Sequence, residues 1–384
     1  MGRGRRRTLM GVVTSLVAGG YLLAWPIPWS PTAWQPPELG AELRAVIAGA
    51  AGPLDEVTLY GDGACDGPED VAVDSEGRVY VPCRNGDIVR FRPPDFVHYD
   101  TVAQTGGEPL GIRFHPATQE LIVADAALGL LAVRPPRDGQ PEEIRVLADA
   151  PTGADGKPFM ITDALDFASG GRIIFTDASF KANVKWVIEL LVERGGTGRV
   201  LVWTPDDPAG APTGAGRVEV LLEGMHFANG VATHPDGASV LVADTPSYRV
   251  FRIPLSGPDR GKATPFGPVL PGFPDNLSRS PDGKRIWVAL PAPRDGLLDA
   301  LGPYPLGRKI ILRLPPWARP KAKPWARVLA LDATTGDLLA DLSGAGGDEE
   351  AGFLTGAVEH AGYLYLGSLR RSRWGRIRLG PNVL

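Results

Sequence analysis

The sequence is poor in the residues and motifs on which several large protein classes depend. It contains 2 cysteines and 5 histidines in 384 residues, with no CxxC pair, so a zinc site is not expected. It has no GxSxG elbow, P-loop or GxGxxG turn, which argues against a serine hydrolase and against a nucleotide-binding enzyme. The net charge is −4 and no basic stripe runs along the body, so nucleic acid is not an expected partner.

Only one long hydrophobic run occurs, near the N-terminus. It extends from Leu9 to Trp25 and follows an arginine-rich start. Its length is at the lower limit for a membrane span and also fits a signal peptide. No clear cleavage site follows, and Trp25, Trp29 and Trp34 suit a membrane interface. We therefore expect residues 1–30 to be an uncleaved signal anchor that leaves the body on the exported side. A cleaved signal and a cytoplasmic protein are the alternatives.

The rest of the chain repeats one pattern. An apolar strand, a turn rich in Pro, Asp and Gly, and a second apolar strand recur from Pro68, Pro109, Thr162, Ala228, Pro274 and Leu354. Period-two alternation and the turn chemistry predict a β-hairpin in each copy. Six copies at a spacing of roughly 40–80 residues predict an all-β, six-bladed β-propeller. We assign it to residues 55–384, after a linker at 31–54; repeated β-sandwiches are the alternative.

Two segments interrupt the repeat. Residues 181–197 are expected to be helical and to stop at Gly195 and Gly196. The insertion at 291–325 is rich in Leu, Pro and Trp and becomes basic towards its end. It is interpreted as a lid on the channel mouth, as a membrane contact, or as a surface packing loop. Cys65 and Cys83 fall in the same repeat, and both a disulfide and two independent thiols remain open.

Aligning the hairpins on their turns places the second residue of each copy at the start of the innermost strand. These residues are Glu69, Leu110, Asp163, Asn229, Asp275 and Thr355. Innermost strands line the channel of a propeller, so the six positions should meet at one level around its axis. The next position is mostly small, as crowding near an axis favours: Asp70, Gly111, Ala164, Gly230, Asn276 and Gly356.

Four of the six aligned residues are Glu, Asp, Asn and Asp. Carboxylates crowded in a channel repel one another unless they are protonated or neutralised. Calcium takes six to eight oxygen ligands, whereas magnesium demands a tighter octahedron. The predicted calcium ligands are therefore Glu69, Asp163, Asn229 and Asp275. The alternative is that these side chains cap strand ends and hold no metal.

Stretches such as GPEDVAVDSEGRVY, HFANGVATHPDG and LPGFPDNLSRSPDGKRIWVAL resemble the strictosidine synthase-like proteins. Anchored members of that family resemble the adipocyte plasma membrane-associated protein, and its wider relatives include the calcium-dependent gluconolactonase and paraoxonase propellers. The resemblance implies a six-bladed propeller with metal ligands from blades one, three, four and five, at the same four positions. Those relatives usually carry Asn where this chain has Asp163.

The resemblance also bears on the reaction. True strictosidine synthases need a catalytic Glu in the last blade, four residues before a Glu-His-x-Gly turn. Here that turn begins at Glu359 and the matching residue is Thr355, which cannot serve as a carboxylate base. The alkaloid-forming condensation is therefore not expected.

The predicted function is a metal-dependent hydrolase of a hydrophobic ester or lactone. Asp275 or Asp163 would activate water or attack directly, and His226, three residues before Asn229, is a further candidate base. An apolar wall would come from Leu110, Phe227, Phe273 and the insertion. The alternatives are a non-catalytic, membrane-anchored scaffold with a structural metal, and a module that presents the insertion to a membrane partner. The remaining histidines are expected to be structural: His98, His115, His234 and His360.

Overall fold

The structure is a computed structural model, described here for residues 19–41, 43–44, 52–136, 142–207, 210–212, 214–344 and 352–380. These residues form six four-stranded antiparallel sheets, so the predicted six-bladed propeller is confirmed. The sheets are buried against their neighbours by Val, Ile, Leu and Ala at alternating strand positions.

Each blade takes four strands, numbered along the chain. The first strand, β1 (Thr58–Tyr60), belongs to the last blade. Blade 1 contains β2 (Ala72–Val73), β3 (Val79–Pro82), β4 (Asp87–Phe91) and β5 (Tyr99–Gln104). Blade 2 contains β6 (Pro109–Phe114), β7 (Leu121–Asp125), β8 (Gly129–Arg134) and β9 (Glu143–Asp149). Blade 3 contains β10 (Thr162–Phe167), β11 (Ile173–Asp177), β12 (Gly198–Pro205) and β13 (Gly216–Met225).

The second half of the propeller follows the same order. Blade 4 contains β14 (Ala228–Thr233), β15 (Ser239–Asp244), β16 (Arg249–Pro254) and β17 (Thr264–Phe266). Blade 5 contains β18 (Leu277–Arg279), β19 (Arg285–Ala289), β20 (Arg327–Asp332) and β21 (Leu338–Ser343). Blade 6 contains β22 (Leu354–His360), β23 (Tyr363–Ser368) and β24 (Trp374–Arg378), and β1 is its outermost strand.

The two ends of the propeller are joined through blade 6. Strand β1 pairs antiparallel with β24, with Tyr60 opposite Trp374, and the two rings stack 4.7 Å apart. The same buried cluster contains Cys65 and Cys83, which form a disulfide. The structure thus resolves the pairing that the sequence left open. An N-terminal strand therefore closes the circle of blades.

Aspartates at strand ends fix where three innermost strands begin. Asp125 accepts the backbone N–H of Glu108, Asp177 accepts that of Ile161, and Asp244 accepts that of Phe227. Each acceptor thereby holds the backbone two residues before an aligned channel position. The recurrent terminal Asp of the repeat therefore places the channel residues of blades 2, 3 and 4.

A layer of helices and coil covers one end of the propeller. Helix α1 (Val187–Glu193) follows a 3-10 turn at Val184–Trp186 and ends at Arg194, which is left-handed, one residue before the predicted glycine stop. The insertion contains α2 (Gly296–Ala300) and α3 (Pro305–Arg313), and a 3-10 turn at Pro316–Ala318. Further 3-10 turns lie at Pro53–Glu56, Ser169–Gly171 and Thr245–Ser247. We call residues 19–41, 184–193 and 291–325 the cap.

The N-terminal anchor prediction falls largely on residues 1–18, which lie outside the described residues. Residues 19–24 are helical. Among the helices that the structure describes, none combines the length and the apolar character that a membrane crossing needs. Part of the predicted linker is packed on the propeller, because Leu39 and Leu43 join the core between blades 4 and 5.

Candidate functional site

The six aligned residues occupy equivalent places around the channel. Four lie at the starts of β6, β10, β14 and β22, and the other two lie just before β2 and β18. All six are buried: Glu69, Leu110, Asp163, Asn229, Asp275 and Thr355. We call Glu69, Asp163, Asn229 and Asp275 the ring.

Glycines at the next position show that neighbouring blades meet at this level. A Cβ on Gly111 would lie 2.6 Å from the carbonyl oxygen of Asp163, and one on Gly230 would lie 2.5 Å from that of Asp275. A Cβ on Gly356 would similarly lie 2.9 Å from the carbonyl oxygen of Glu69. Only glycine fits where one blade lies against the ring residue of the next, which explains the small residues in the aligned sequence.

Hydrogen bonds continue the ring from blade 5 through blade 6 to blade 1. The backbone N–H of Asn276 donates to the carbonyl of Thr355 at 3.0 Å, and the hydroxyl of Thr355 donates to the carbonyl of Glu69 at 2.7 Å. The Asn276 side-chain amide also donates to Glu69 Oε1 at 2.8 Å. Thr355 therefore acts in the packing of the ring backbone, and Asn276 orients one ring carboxylate.

The three ring carboxyls are buried together, and the charge of Asp275 acts on the other two. Burial raises the pKa of Glu69 well above its usual value, and the charges of Asp163 and Asp275 raise it further. Burial and the charge of Asp275 likewise raise the pKa of Asp163. Burial raises the pKa of Asp275 to about 7, although a hydrogen bond from Asn229 opposes the shift. All four predicted ligands are thus linked, the carboxyls by charge and Asn229 by its hydrogen bond to Asp275.

The ring leaves oxygen atoms without partners. Glu69 Oε2, Asp163 Oδ1 and Asn229 Oδ1 are buried and find no hydrogen-bond partner among the described residues. Buried polar atoms normally have partners, so three orphans at one level need an explanation. Hard oxygen donors of this kind fit a calcium ion. Within the described residues, however, no three His, Cys, Asp or Glu side chains already form a metal-binding cluster.

Below the ring, the chain supplies its own cation. Arg113 pairs with Asp70 and donates to the carbonyl of Ile112 at 2.7 Å and to that of Leu277 at 3.4 Å. Because Leu277 lies in blade 5 and Arg113 in blade 2, this guanidinium reaches across the channel. Asp70 is further held by the N–H groups of Val71 and Ile112. Asp70 is therefore held in place by the chain, and its charge also raises the pKa of all three ring carboxyls.

Sequence reasoning missed the chemical role of Asn276. The alignment counted it among residues chosen for small size, yet its buried Oδ1 is also without a partner among the described residues. Asn276 is thus a fifth oxygen-bearing side chain beside the four of the ring, and it contacts Glu69. Its place directly after Asp275 was the available signal, since an amide is unusual among the glycines and alanine at that position.

The cap lies directly on the channel mouth. Leu110 and Phe227 pack in one buried cluster with Trp29, Leu190 and Leu312. Phe273, the third predicted wall residue, packs on Tyr248 at 4.9 Å. A cavity of about 10 Å³ remains beside it, lined among others by Trp34, Arg194, Leu298 and Arg308. That is room for about one water molecule, so a larger ligand would fit this cavity only if it widened.

None of the main charges that act on His226 comes from a ring carboxyl. Burial lowers the pKa of His226, and the charges that act on it are those of Asp244, Arg194 and Arg308. Its Nδ1 is buried without a partner among the described residues. The histidines of the turns behave as expected, since His115 and His234 accept backbone N–H groups of their own turns through Nδ1.

Comparison with known proteins identifies the family of this chain. The strictosidine synthase model matches residues 163–258, and the model of the N-terminal part of strictosidine synthase-like proteins matches residues 53–91. Strictosidine synthase-like 6 of Arabidopsis thaliana is 31% identical over 331 residues, which cover 85% of this chain and 82% of the relative. The chain belongs to the strictosidine synthase-like family. The adipocyte plasma membrane-associated protein of Rattus norvegicus is 34% identical over 305 residues, 77% of each chain.

Solved structures agree on the fold. A gluconolactonase from Xanthomonas campestris superposes with a TM-score of 0.56 at 16% identity, covering 93% of this chain and 99% of that one. Regucalcin from Agrobacterium tumefaciens, a calcium-binding protein, superposes with a TM-score of 0.54 at 15% identity, covering 87% of this chain and 98% of that one. At these sequence identities the likeness establishes the fold alone.

Proposed function

We propose that the protein is a calcium-dependent hydrolase of a hydrophobic ester or lactone. The observation that carries the proposal is the ring. Burial raises the pKa of its three carboxyls, the charge of Asp275 raises those of Glu69 and Asp163 further, and Glu69, Asp163 and Asn229 each keep an oxygen without a partner among the described residues. The cost of this arrangement is relieved when a cation binds. The gluconolactonase fold is compatible with such a site, although fold alone does not fix activity.

The ring residues have distinct tasks under this proposal. Glu69, Asp163, Asn229 and Asp275 would hold the ion, and Asn276 would keep Glu69 in position. Bound calcium supplies Lewis-acid polarisation of the substrate carbonyl. Asp275 or Asp163 would take the proton of the attacking water and return it to the departing alkoxide as the ester C–O bond breaks. Alternatively its carboxylate would attack the carbonyl carbon, the alkoxide would leave with a proton from solvent, and water would hydrolyse the resulting anhydride to release the acid. Thr355 cannot replace a carboxylate base, so we do not propose strictosidine synthesis.

The substrate class follows from the mouth of the channel. Leu110 and Phe227 form a buried apolar surface next to the ring, and Leu298 and Leu312 of the cap complete it. An apolar ester or lactone gains free energy by replacing these contacts when the cap opens. A strongly charged substrate would lose its hydration there without compensation.

We further propose that the propeller is exported and held at a membrane by the N-terminal run. The disulfide between Cys65 and Cys83 supports an oxidising compartment. The arginines before the run would remain on the cytoplasmic side.

The test is hydrolysis of aryl esters and lactones by the full-length protein in detergent. We expect chelation to abolish turnover and calcium to restore it. Asp275→Asn should lower kcat by about 10²- to 10⁴-fold through loss of the base. Calcium calorimetry on the variant separates loss of the base from loss of the ion. Asp259→Asn, at an exposed pair far from the channel, is the matched control.

Two results would contradict the enzyme proposal. Turnover that is indifferent to chelation and to Asp275→Asn would exclude catalysis at the ring. Calcium that raises the melting temperature while no substrate is turned over would instead support the scaffold alternative, in which the channel ion is structural.

A further inference from the structure

The cap exposes far more apolar surface than the blades do. Of 13 large hydrophobic side chains that are exposed among the described residues, 9 belong to the cap. They are Tyr21, Leu23, Trp25, Trp186, Ile188, Leu297, Tyr304, Leu306 and Trp317. Trp317 is 83% exposed, although tryptophan is usually among the best-buried residues. Exposed apolar side chains concentrated in this way mark an interaction site.

The three segments of the cap form one continuous surface. Arg313 of α3 donates to the carbonyls of Trp25 and Leu22 at 2.7 and 2.9 Å. The rings of Trp29 and Trp186 lie 5.7 Å apart. The insertion also contacts α1 through the ion pair between Arg319 and Glu189. The exposed aromatic and aliphatic side chains therefore belong to one face of the molecule.

The C-terminal part of the insertion is basic. Residues 300–325 contain no Asp or Glu and six basic residues: Arg308, Lys309, Arg313, Arg319, Lys321 and Lys323. Several of the arginines bond inside the cap, whereas Lys321 and Lys323 are exposed beside Trp317. Lys185 is likewise exposed beside Trp186. Exposed lysines thus flank two of the exposed tryptophans of the cap.

We propose that the cap is a docking surface for an anionic lipid bilayer. Trp and Tyr favour the headgroup level of a membrane, and exposed lysines are attracted to anionic headgroups. Protein interfaces share the aromatic side chains but are depleted in lysine, so the charges favour lipid as the occupant. Residues 19–25, the described end of the apolar run, belong to this surface, so an anchored chain would bring this face to the bilayer. Docking does not depend on catalysis at the ring.

One consequence does rest on the proposed function. The cap covers the end of the channel where Leu110 and the ring lie. A docked molecule therefore points its channel mouth at the lipid, and an ester or lactone dissolved in the bilayer reaches the ring without crossing water.

Two leucines provide a matched test. Leu306 in the cap and Leu339 on the outer strand of blade 5 are both 53% exposed. Leu306→Cys and Leu339→Cys are labelled with a polarity-sensitive dye in the full-length protein, whose own two cysteines are buried in a disulfide. The protein is placed in vesicles of phosphatidylcholine with phosphatidylglycerol, or of phosphatidylcholine alone. Quenching by a lipid-borne quencher then reports contact with the bilayer.

We expect the label at residue 306 to shift to the blue and to be quenched in anionic vesicles, while the label at residue 339 stays in water. Lys321→Glu with Lys323→Glu should reduce the quenching at least about threefold, and added salt should act in the same direction. Lys262→Glu, at an exposed site on blade 4, should have no effect.

Equal quenching at both labels would overturn the proposal, because the anchor alone would then account for lipid contact. A blue shift at residue 306 that arises in detergent without lipid and grows with protein concentration would also overturn it. That outcome would assign the surface to a second copy of the chain. Neither readout uses turnover, so failure of the hydrolase proposal leaves the test intact.

Discussion

Two kinds of buried carboxylate occur in this propeller, and they differ in how their charge is compensated. Asp177 and Asp70 each pair with an arginine of the chain, Arg199 and Arg113 respectively. Ring carboxyls lie equally deep, but three ring oxygens find no partner among the described residues. The fold thus supplies a cation for these two carboxylates, whereas no ion pair is found for the ring among the described residues. This difference supports the proposed calcium site.

The comparison is most strongly tested at Arg199. Arg199 and Asp177 are both 0% exposed, and Arg199 also bonds the carbonyls of Ala154 and Pro158. Arg199→Met should lower the free energy of unfolding by about 3–5 kcal/mol, because it leaves a buried carboxylate uncompensated. Urea unfolding followed by circular dichroism measures the loss.

The exposed pair of Lys262 and Asp259 is the control. Both side chains are 67% exposed, and Lys262→Met should cost about 0–1 kcal/mol. A loss below about 1 kcal/mol at Arg199 would mean that a buried carboxylate is tolerated here without a partner. Unpartnered carboxyls in the ring would then no longer support a bound cation.

A smaller effect is expected from pH on the metal-free protein. Burial raises the pKa of Asp275 from 3.8 to about 7. A carboxyl with a raised pKa in the folded state stabilises the protein below its unfolded pKa, and this contribution is lost as pH rises through the folded value. Stability in chelator should therefore fall between about pH 4 and pH 7. Asp275→Asn should flatten the fall, measured by urea unfolding across that range.

Saturating calcium should remove or reverse this pH dependence, since the metal binds the deprotonated carboxylates. A metal-free protein that becomes more stable as pH rises through the same range would contradict the assignment of the raised pKa to the ring.

The sequence predicted the blades better than the contacts between them. Alternation and turn chemistry are local, so the six hairpins were found where the structure has them. Strand β1 was not predicted, because three residues carry little pattern and their partner is β24. The disulfide likewise depended on how Cys65 and Cys83 meet in space.

The ring shows the same limit within the site. The alignment brought its four residues together because blade symmetry turns sequence register into position around an axis. It could not find Arg113, whose side chain reaches blade 5 from blade 2, because that contact breaks the symmetry. It treated Asn276 as a small residue for the same reason. Contacts across the channel must be read from the structure.

Isothermal calorimetry with calcium tests the central claim most directly. We expect one ion per chain, bound with release of protons near pH 6 because the ring carboxyls must ionise to ligate it. Titration in buffers of different ionisation enthalpy measures that release. Glu69→Gln and Asp275→Asn should each weaken binding, whereas Asp259→Asn should leave it unchanged. Absence of binding, or binding that is unaffected by both ring substitutions, would contradict the account.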